Sequence, residues 1–564
     1  MQAERSLGEP PARGRWTITI LLTLGFAIAH TTLVLHLDNT NLGTANGLWK
    51  SIDVRAWELG AGRSQDTAGL LYAPVYGWLC RWVPDSAVSY GQHGGVVTYR
   101  KMALLNALFG AVASGAVFLL AFRLVPSAAA ALVIALAHAT TAFVLMNSLN
   151  SEDVMPAYAL FSVAAAVLME YVLSVRWYLV AVLAGVVALI ALFHWTLLPP
   201  CLAAIAAVLL LLAWRKKVPR WALIVFPLFL LGAVQAFVVA AHLRNPSSTL
   251  SAWQILFPAK AGPSGWVGFA WTKGVHALVG MGNYFSGGDN FADYATAFAN
   301  PGVVRRMILS WVLLAITLGA CVWAWCHRRV PDALKALAGF GGVVFLVGEL
   351  EHLYSQPQDP QSQIQPMFVT VSGLVILAHG LREKLSKRVS RLVLAGCAGA
   401  FLLNGAQYVS RVHPLRGADS RGWSEVQELA GLFPPDRTVI VSHGFEQWNV
   451  WLYVEVYAGD SERYLSRNIH LASAFTNHPG VSGEQAAELM KAAIGKALAE
   501  GYQVVATSLW TQPREAFIGS LTSVVDADKD ALFHDRLRGV FRTGRQFETR
   551  AGLFVELHRA GPER

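Results

Sequence analysis

The sequence predicts a polytopic α-helical membrane protein of about eleven transmembrane helices followed by a soluble C-terminal α/β domain. Three observations carry that prediction. Only 14% of the 564 residues are charged, against roughly a quarter in ordinary soluble domains. The chain is 54% hydrophobic with a mean hydropathy of +0.42. Finally, long uncharged runs alternate with short basic loops, whereas the last 153 residues carry 16 basic and 19 acidic side chains. A soluble enzyme is excluded, because runs such as 181–193 leave no solvated surface. Collagen-like, disordered and disulfide-framework chains are excluded as well. The 49 Gly have no triplet period, and the five Cys lie mostly in apolar runs, which leaves the redox compartment undecided.

A span needs about 20 apolar residues to cross roughly 30 Å of hydrocarbon. Eleven segments qualify: 16–36, 102–122, 128–146, 157–174, 177–194, 197–214, 221–242, 307–326, 336–350, 367–379 with its flanks, and 392–409. Pro199 and Pro200 mark either a turn between two short helices or a kink, so ten or twelve spans are the alternatives. The first segment reads as a retained anchor, since its apolar core is too long for a cleavable signal and no small-residue cleavage site follows. Lys and Arg cluster before the first span and in the loops 215–220, 328–335 and 382–391, which puts those on the cytoplasmic side. That side then holds 17 basic against five acidic residues, and the outer loops hold 12 of each. The net charge of +9 is therefore a topology signal, and no nucleic-acid partner is implied.

An odd number of spans places 412–564 outside, beyond a transmembrane domain over 1–411. In that tail, 437–441 and 503–508 read as buried strands, 483–500 as an amphipathic helix and 553–557 as a last strand. No glycine-rich phosphate loop opens any of its helices.

The outer loops hold the chemistry-bearing residues. In the first, 37–100, HLDNTN carries Asp38, Asp53 follows, and aromatic residues interleave with charges as in helices lying flat at a membrane interface. The second, NSLNSEDVMP, places Glu152 and Asp153 side by side at a span boundary, where ionised carboxylates are costly unless they face a polar cavity. Helix capping by Ser151 or Asp153 is the alternative. His194 sits at the outer end of the fifth span, as a ligand contact or as a belt residue beside Trp195. The large loop 243–306 offers Lys273, His276, Arg305 and Arg306, and its GGD tripeptide reads as a turn rather than a metal loop. The loop from Gly348 crowds Glu349, Glu351, His352, Tyr354, Gln356, Gln358 and Asp359, the amides, carboxylates and aromatic faces that recognise sugars, or else a plain polar hairpin. Such a set suits glycosyl transfer from a lipid-phosphate donor: a carboxylate takes the acceptor proton and a cation stabilises the departing phosphate.

Asp38 just beyond the first span, the segment LLYAPVYGWLCR (70–81) ending the first loop, and Glu152/Asp153 in the second together resemble the GT-C superfamily of membrane glycosyltransferases. That superfamily includes the protein O-mannosyltransferases and the aminoarabinose transferase of lipid A. The resemblance covers roughly residues 14 to 410 in architecture. It implies an inverting transfer of sugar from a polyprenyl-phosphate donor to a cell-envelope glycan, lipid or protein acceptor, on the non-cytoplasmic face of a bacterial plasma membrane. The first-loop acid, Asp38 with Asp53 as its rival, would be the base. Glu152 and Asp153 would position the acceptor or complete a divalent-cation site for Mg or Mn. Lys273, Arg305 or Arg306 would bind donor phosphate, and His352, Tyr354, Gln356 and Gln358 sugar or phosphate. The chain departs from the pattern in having no DxD or Asp-Glu pair after the first span. A transporter or flippase of lipid-linked saccharide, and a non-enzymatic envelope assembly protein, are the rival functions. The middles of the spans are nearly free of charge and no two halves repeat, which favours surface chemistry over passage.

Overall fold

The computed structural model describes residues 12–37, 51, 54–60, 71–88, 95–125, 127–151, 154–194, 197–216, 218–219, 221–244, 273–287, 298–352, 364–382, 385–412, 428–429, 431–434, 437–442, 469–471, 474, 481–511, 527–550 and 552–559. Each predicted apolar segment coincides with a helix or helix pair. In chain order these are α1 (Ala12–His36), the short α2 (Tyr72–Cys80), α3 (Gly95–Leu124), α4 (Ala128–Ala139), α5 (Ala142–Leu149), α6 (Val154–Ser174), α7 (Tyr178–Phe193), α8 (Leu198–Trp214) and α9 (Ala222–Arg244). There follow α10 (Lys273–Asn283), α11 (Pro301–Cys326), α12 (Asp332–His352), α13 (Ile364–Arg382) and α14 (Lys387–Val412). Among the described residues seven helices are long and apolar enough to cross a membrane, and eight if a bent pair counts as one span. The prolines at 199 and 200 occupy the first turn of α8, so they mark a turn between two helices rather than a kink.

The bent pair corrects the expectation of a continuous helix over 128–146. α4 and α5 meet at 64°. Two adjacent threonines make the break: Thr140 Oγ1 donates back to the Leu136 carbonyl at 2.8 Å, and Thr141 caps α5 by accepting from the Val144 N–H at 3.3 Å. A break inside a bundle frees backbone groups that no water reaches, so something else must bond them. The segment after α10 does this, with the Ala142 and Phe143 N–H groups donating to the Phe285 and Tyr284 carbonyls at 2.9 and 3.0 Å. Asn404 of α14 donates to both the Thr140 and the Phe285 carbonyl, at 3.2 and 3.0 Å. Residues 284–287, expected in the large outer loop, are thus buried among the helices. Gly287 ends this plug at φ +70°, where Tyr408 and Ala142 leave no room for a Cβ.

The interior of the bundle is uncharged, as expected, but not apolar. His138 of α4 is bonded through Nδ1 to Ser114 of α3 at 3.1 Å and through Nε2 to Tyr158 of α6 at 2.7 Å. His30 of α1 is buried nearby. At the basic-loop end, Arg123 makes a two-pronged bond to Glu170, 2.7 and 3.1 Å, joining α3 to α6.

The C-terminal sheet has five strands: β1 (Thr438–Ser442), β2 (Ile469–His470), β3 (Gln503–Thr507), β4 (Phe541–Thr549) and β5 (Gly552–Arg559), ordered β2-β1-β3-β5-β4. β1 runs parallel to β2 and β3, and β5 runs antiparallel to β3 and β4. Helices α15 (Gly483–Ala499) and α16 (Ala527–Arg538) pack with it, Ala487, Met490, Ile494, Phe533 and Leu537 meeting Val439, Val504 and Val555. A Ser482/Gln485 capping box starts α15. The strand at 541–549 and helix 527–538 were not foreseen from the pattern.

Replacing Asn404 with Leu removes the donor to the Thr140 carbonyl and one of two donors to the Phe285 carbonyl, which keeps the Ala142 N–H, at a cost of about 1–3 kcal/mol for the one group left unbonded. A lower thermal unfolding midpoint of the detergent-solubilised protein is expected; an unchanged midpoint would contradict the role of residues 284–287 as the plug of the break.

Candidate functional site

Helix alternation gathers the C-terminal ends of α1, α5, α7 and α12 and the N-terminal ends of α3, α6, α8, α11 and α13 at one end of the bundle. There α2 lies across the helices. The Leu71 N–H before it donates to the Leu192 carbonyl at the end of α7, at 3.0 Å. Its buried face is Tyr72, Ala73, Tyr76 and Cys80, and Trp78 and Trp82 are exposed on the other side. Gly77 is required where α2 crosses the helical turn 54–58, since a Cβ there would collide with Trp57.

Two polar groupings hold this end together. The first surrounds Glu58, whose side chain is 7% exposed. Lys101, near the start of α3, reaches Glu58 at 2.6 Å and Asp85 at 2.5 Å. Thr98 donates to the same carboxylate at 2.6 Å and Arg55 at 3.1 Å. Arg81, after α2, bonds the Glu58 and Trp57 carbonyls at 2.9 and 2.7 Å. Burial alone would push the Glu58 carboxyl up, but the hydrogen bonds from Lys101, Thr98 and Arg55 outweigh it and hold the group below its ordinary value.

The second grouping precedes the acid pair of the second loop. Asn106 of α3 accepts from the Tyr76 hydroxyl and donates to the Asn150 carbonyl at 2.6 Å. The Tyr72 hydroxyl donates to the Ser151 carbonyl at 3.0 Å. Asn147 and Asn150 turn their amide N–H groups back onto the Phe143 and Met146 carbonyls. Among the described residues their oxygens and the Ser151 hydroxyl have no hydrogen-bond partner, although all three residues are fully buried.

Of the residues singled out in the sequence, Asp38, Asp53, Glu152, Asp153, Tyr354, Gln356, Gln358 and Asp359 lie outside the described residues, as do the side chains of Lys273 and His276. His194, Arg305, Arg306, Glu349, Glu351 and His352 are described. His194 caps the C-terminus of α7. Arg305 and Arg306 lie in the second turn of α11, capped by Asn300, and Arg306 Nε donates to the Gly287 carbonyl at 3.0 Å. Arg306 therefore secures the plug. Glu351 and His352 end α12, where His352 is buried and bonded to Glu349 at 3.2 Å. The sequence reading missed Glu58, Lys101 and Asn106. A signal was present: Lys101 and Asn106 interrupt the apolar start of a span, and Arg55 and Glu58 sit at helical i,i+3 spacing. Among the described residues no group of three His, Cys, Asp or Glu side chains is placed to hold a metal.

Among the described residues, the apolar helices, the bent pair over 128–149 and the C-terminal mixed sheet make a polytopic helical membrane fold with a C-terminal domain. No protein-family model matches the chain, and no curated protein matches it in sequence. Among solved structures, the apo oligosaccharyltransferase of Archaeoglobus fulgidus is similar with a TM-score of 0.52 at 13% identity, over 89% of this chain and 72% of that one. The same protein in complex with Zn and sulfate gives 0.48 at 13% identity, over 96% and 72%. ArnT from Cupriavidus metallidurans in the apo state gives 0.41 at 13%, over 96% and 98%. At 13% identity and a TM-score of 0.52, the first of these likenesses is one of fold.

Lys101→Met leaves Glu58 buried without its main partner, a loss on the order of 3–5 kcal/mol. Glu58 stabilises the fold fully above its ordinary value of 4.5, and that contribution fades as pH falls through its lower folded value. Thermal midpoints of wild type and Glu58→Gln are expected to differ at pH 7 and converge as pH falls through the lowered folded value of the carboxyl; a gap that widens on acidification would reverse the assignment.

Proposed function

We propose that the chain is an inverting glycosyltransferase that moves a sugar from a polyprenyl-phosphate donor to a cell-envelope glycan, lipid or protein acceptor. The site and the tail domain (412–564) face the non-cytoplasmic side of a bacterial plasma membrane. Fold alone does not decide activity. The supporting observation is the built segment before the second-loop acids, whose two preceding carbonyls are each held by a buried side chain. Such preorganisation is expected where two carboxylates must keep one geometry.

In the reaction, Asp38, with Asp53 as rival, accepts the proton of the acceptor hydroxyl as its oxygen attacks the anomeric carbon. The bond from that carbon to the phosphate oxygen breaks, and polyprenyl phosphate departs with the electron pair. Glu152 and Asp153 orient the acceptor. Lys273 and Arg305 are the cations for the phosphate, assisted by whatever donors Arg306 retains beyond its bond to Gly287. Glu351, His352, Tyr354, Gln356, Gln358 and His194 line the sugar side. The donors beside the acid pair suit a hard divalent ion such as Mg or Mn, because Asn147, Asn150 and Ser151 offer buried oxygens without partners. Asp38, Glu152 and Asp153 would hold that ion, which supplies charge neutralisation when bound.

The broken span lends one observation to the rival reading, a transporter of lipid-linked saccharide, since transporters expose backbone groups at such breaks. Here the freed N–H groups of Ala142 and Phe143 are already bonded to Phe285 and Tyr284. That leaves surface chemistry as the better reading.

Purified protein in nanodiscs, supplied with a panel of polyprenyl-phosphate sugars and cell-envelope extract, is expected to release polyprenyl phosphate. Asp38→Asn and Glu152→Gln should each slow this by roughly 10²–10⁴-fold without altering expression or thermal midpoint. Wild-type rates in both variants would remove the mechanism.

A further inference from the structure

The structure places a compact unit of three side chains between the first loop and the acid pair of the second. Tyr72 and Tyr76 stack at 4.3 Å on one face of α2, and both are almost completely buried. The hydroxyl of Tyr76 donates to Asn106, itself fully buried in α3. From there the amide of Asn106 donates to the Asn150 carbonyl, and Tyr72 donates to the Ser151 carbonyl. These are the last two carbonyls before Glu152 and Asp153. An asparagine buried near the end of an apolar span is costly unless both halves of its amide are bonded, and here both are.

We propose that Tyr72, Tyr76 and Asn106 are positioning residues that fix how the chain leaves α5 toward Glu152 and Asp153, and so tie that carboxylate pair to α2 of the first loop. The proposal rests on the reading of those two acids as acceptor-side groups, although none of the three residues touches substrate. Three features support it. Asn147 and Asn150 anchor their own amides on α5, so the helix end is rigid up to the point where the unit takes over. Two separate elements supply the donors, which defines both the position and the tilt of the peptide planes at 150 and 151. The Leu71 to Leu192 backbone bond fixes the start of α2 against α7, so the unit is braced from a third direction.

The test uses the full chain in nanodiscs, with Tyr72→Phe and Asn106→Leu compared with wild type. Hydrogen exchange of the peptide spanning 147–156 should accelerate at least tenfold in both variants, while peptides from 160–174 stay at wild-type rates. With a donor that wild type turns over, kcat should fall tenfold or more while KM for the donor stays within twofold. Tyr72→Phe removes one hydroxyl and keeps the ring stack, so it carries the test should Asn106→Leu fail to fold. Exchange at 147–156 within twofold of wild type would overturn the proposal, as would a loss of activity that only tracks the amount of folded protein. If wild type transfers no sugar, the glycosyltransferase reading falls, and the exchange measurement still decides the positioning role.

Discussion

No water is available at membrane depth, so every backbone group there must be bonded by the protein itself. The structure depends on how that requirement is met at one place, the interruption between α4 and α5. A continuous helix would have met it at no cost. The chain instead stops at Thr140, turns, and lets residues 284–285 and Asn404 complete the missing bonds. The turn has a use: it redirects α5 so that Asn147, Asn150 and Ser151 arrive beside Asn106 and Tyr72 rather than continuing along the axis of α4. The plug, in turn, draws Arg306 and Arg411 onto its carbonyls, which fixes the starts and ends of two further helices. Those bonds occupy part of an arginine that looked, from the sequence, free for phosphate.

Most of the architecture was legible in the sequence because hydropathy over about 20 residues is a strong signal and loop charge is an independent one. The break was not. Threonine is tolerated inside apolar helices, and the pair at 140–141 differs from a harmless pair only through partners more than a hundred residues away. The prolines at 199–200 left a turn and a kink both open in the sequence, and their place in the first turn of α8 decides for the turn between α7 and α8. In the tail, β1 and β3 are buried runs of valine and isoleucine and were found. β4, at the sheet edge, is exposed along most of its length and has no alternation to detect.

The site divides in the same way. Carboxylates stand out in a chain so poor in charge, which is why Asp38, Glu152 and Asp153 were singled out at once. Their supports are ordinary residues in type: a tyrosine pair, an asparagine, a threonine. What makes them informative is burial with complementary donors and acceptors, and that is a property of the folded arrangement. Glu58 shows how a residue of the noticeable kind can still be overlooked. Its first-loop segment also holds Asp53, Arg55, Arg63 and Asp66, and only its pairing with Lys101 and Asp85 sets it apart.

The outward indoles of Trp78 and Trp82 have one further consequence. Tryptophan prefers the level of the lipid head groups, and both of these rings are exposed. On the opposite side of the same helix Tyr72 donates to the Ser151 carbonyl, and Tyr76 reaches the Asn150 carbonyl through Asn106. A push on the exposed indoles would therefore reach Asn150 and Ser151 at the end of α5 through a single short helix.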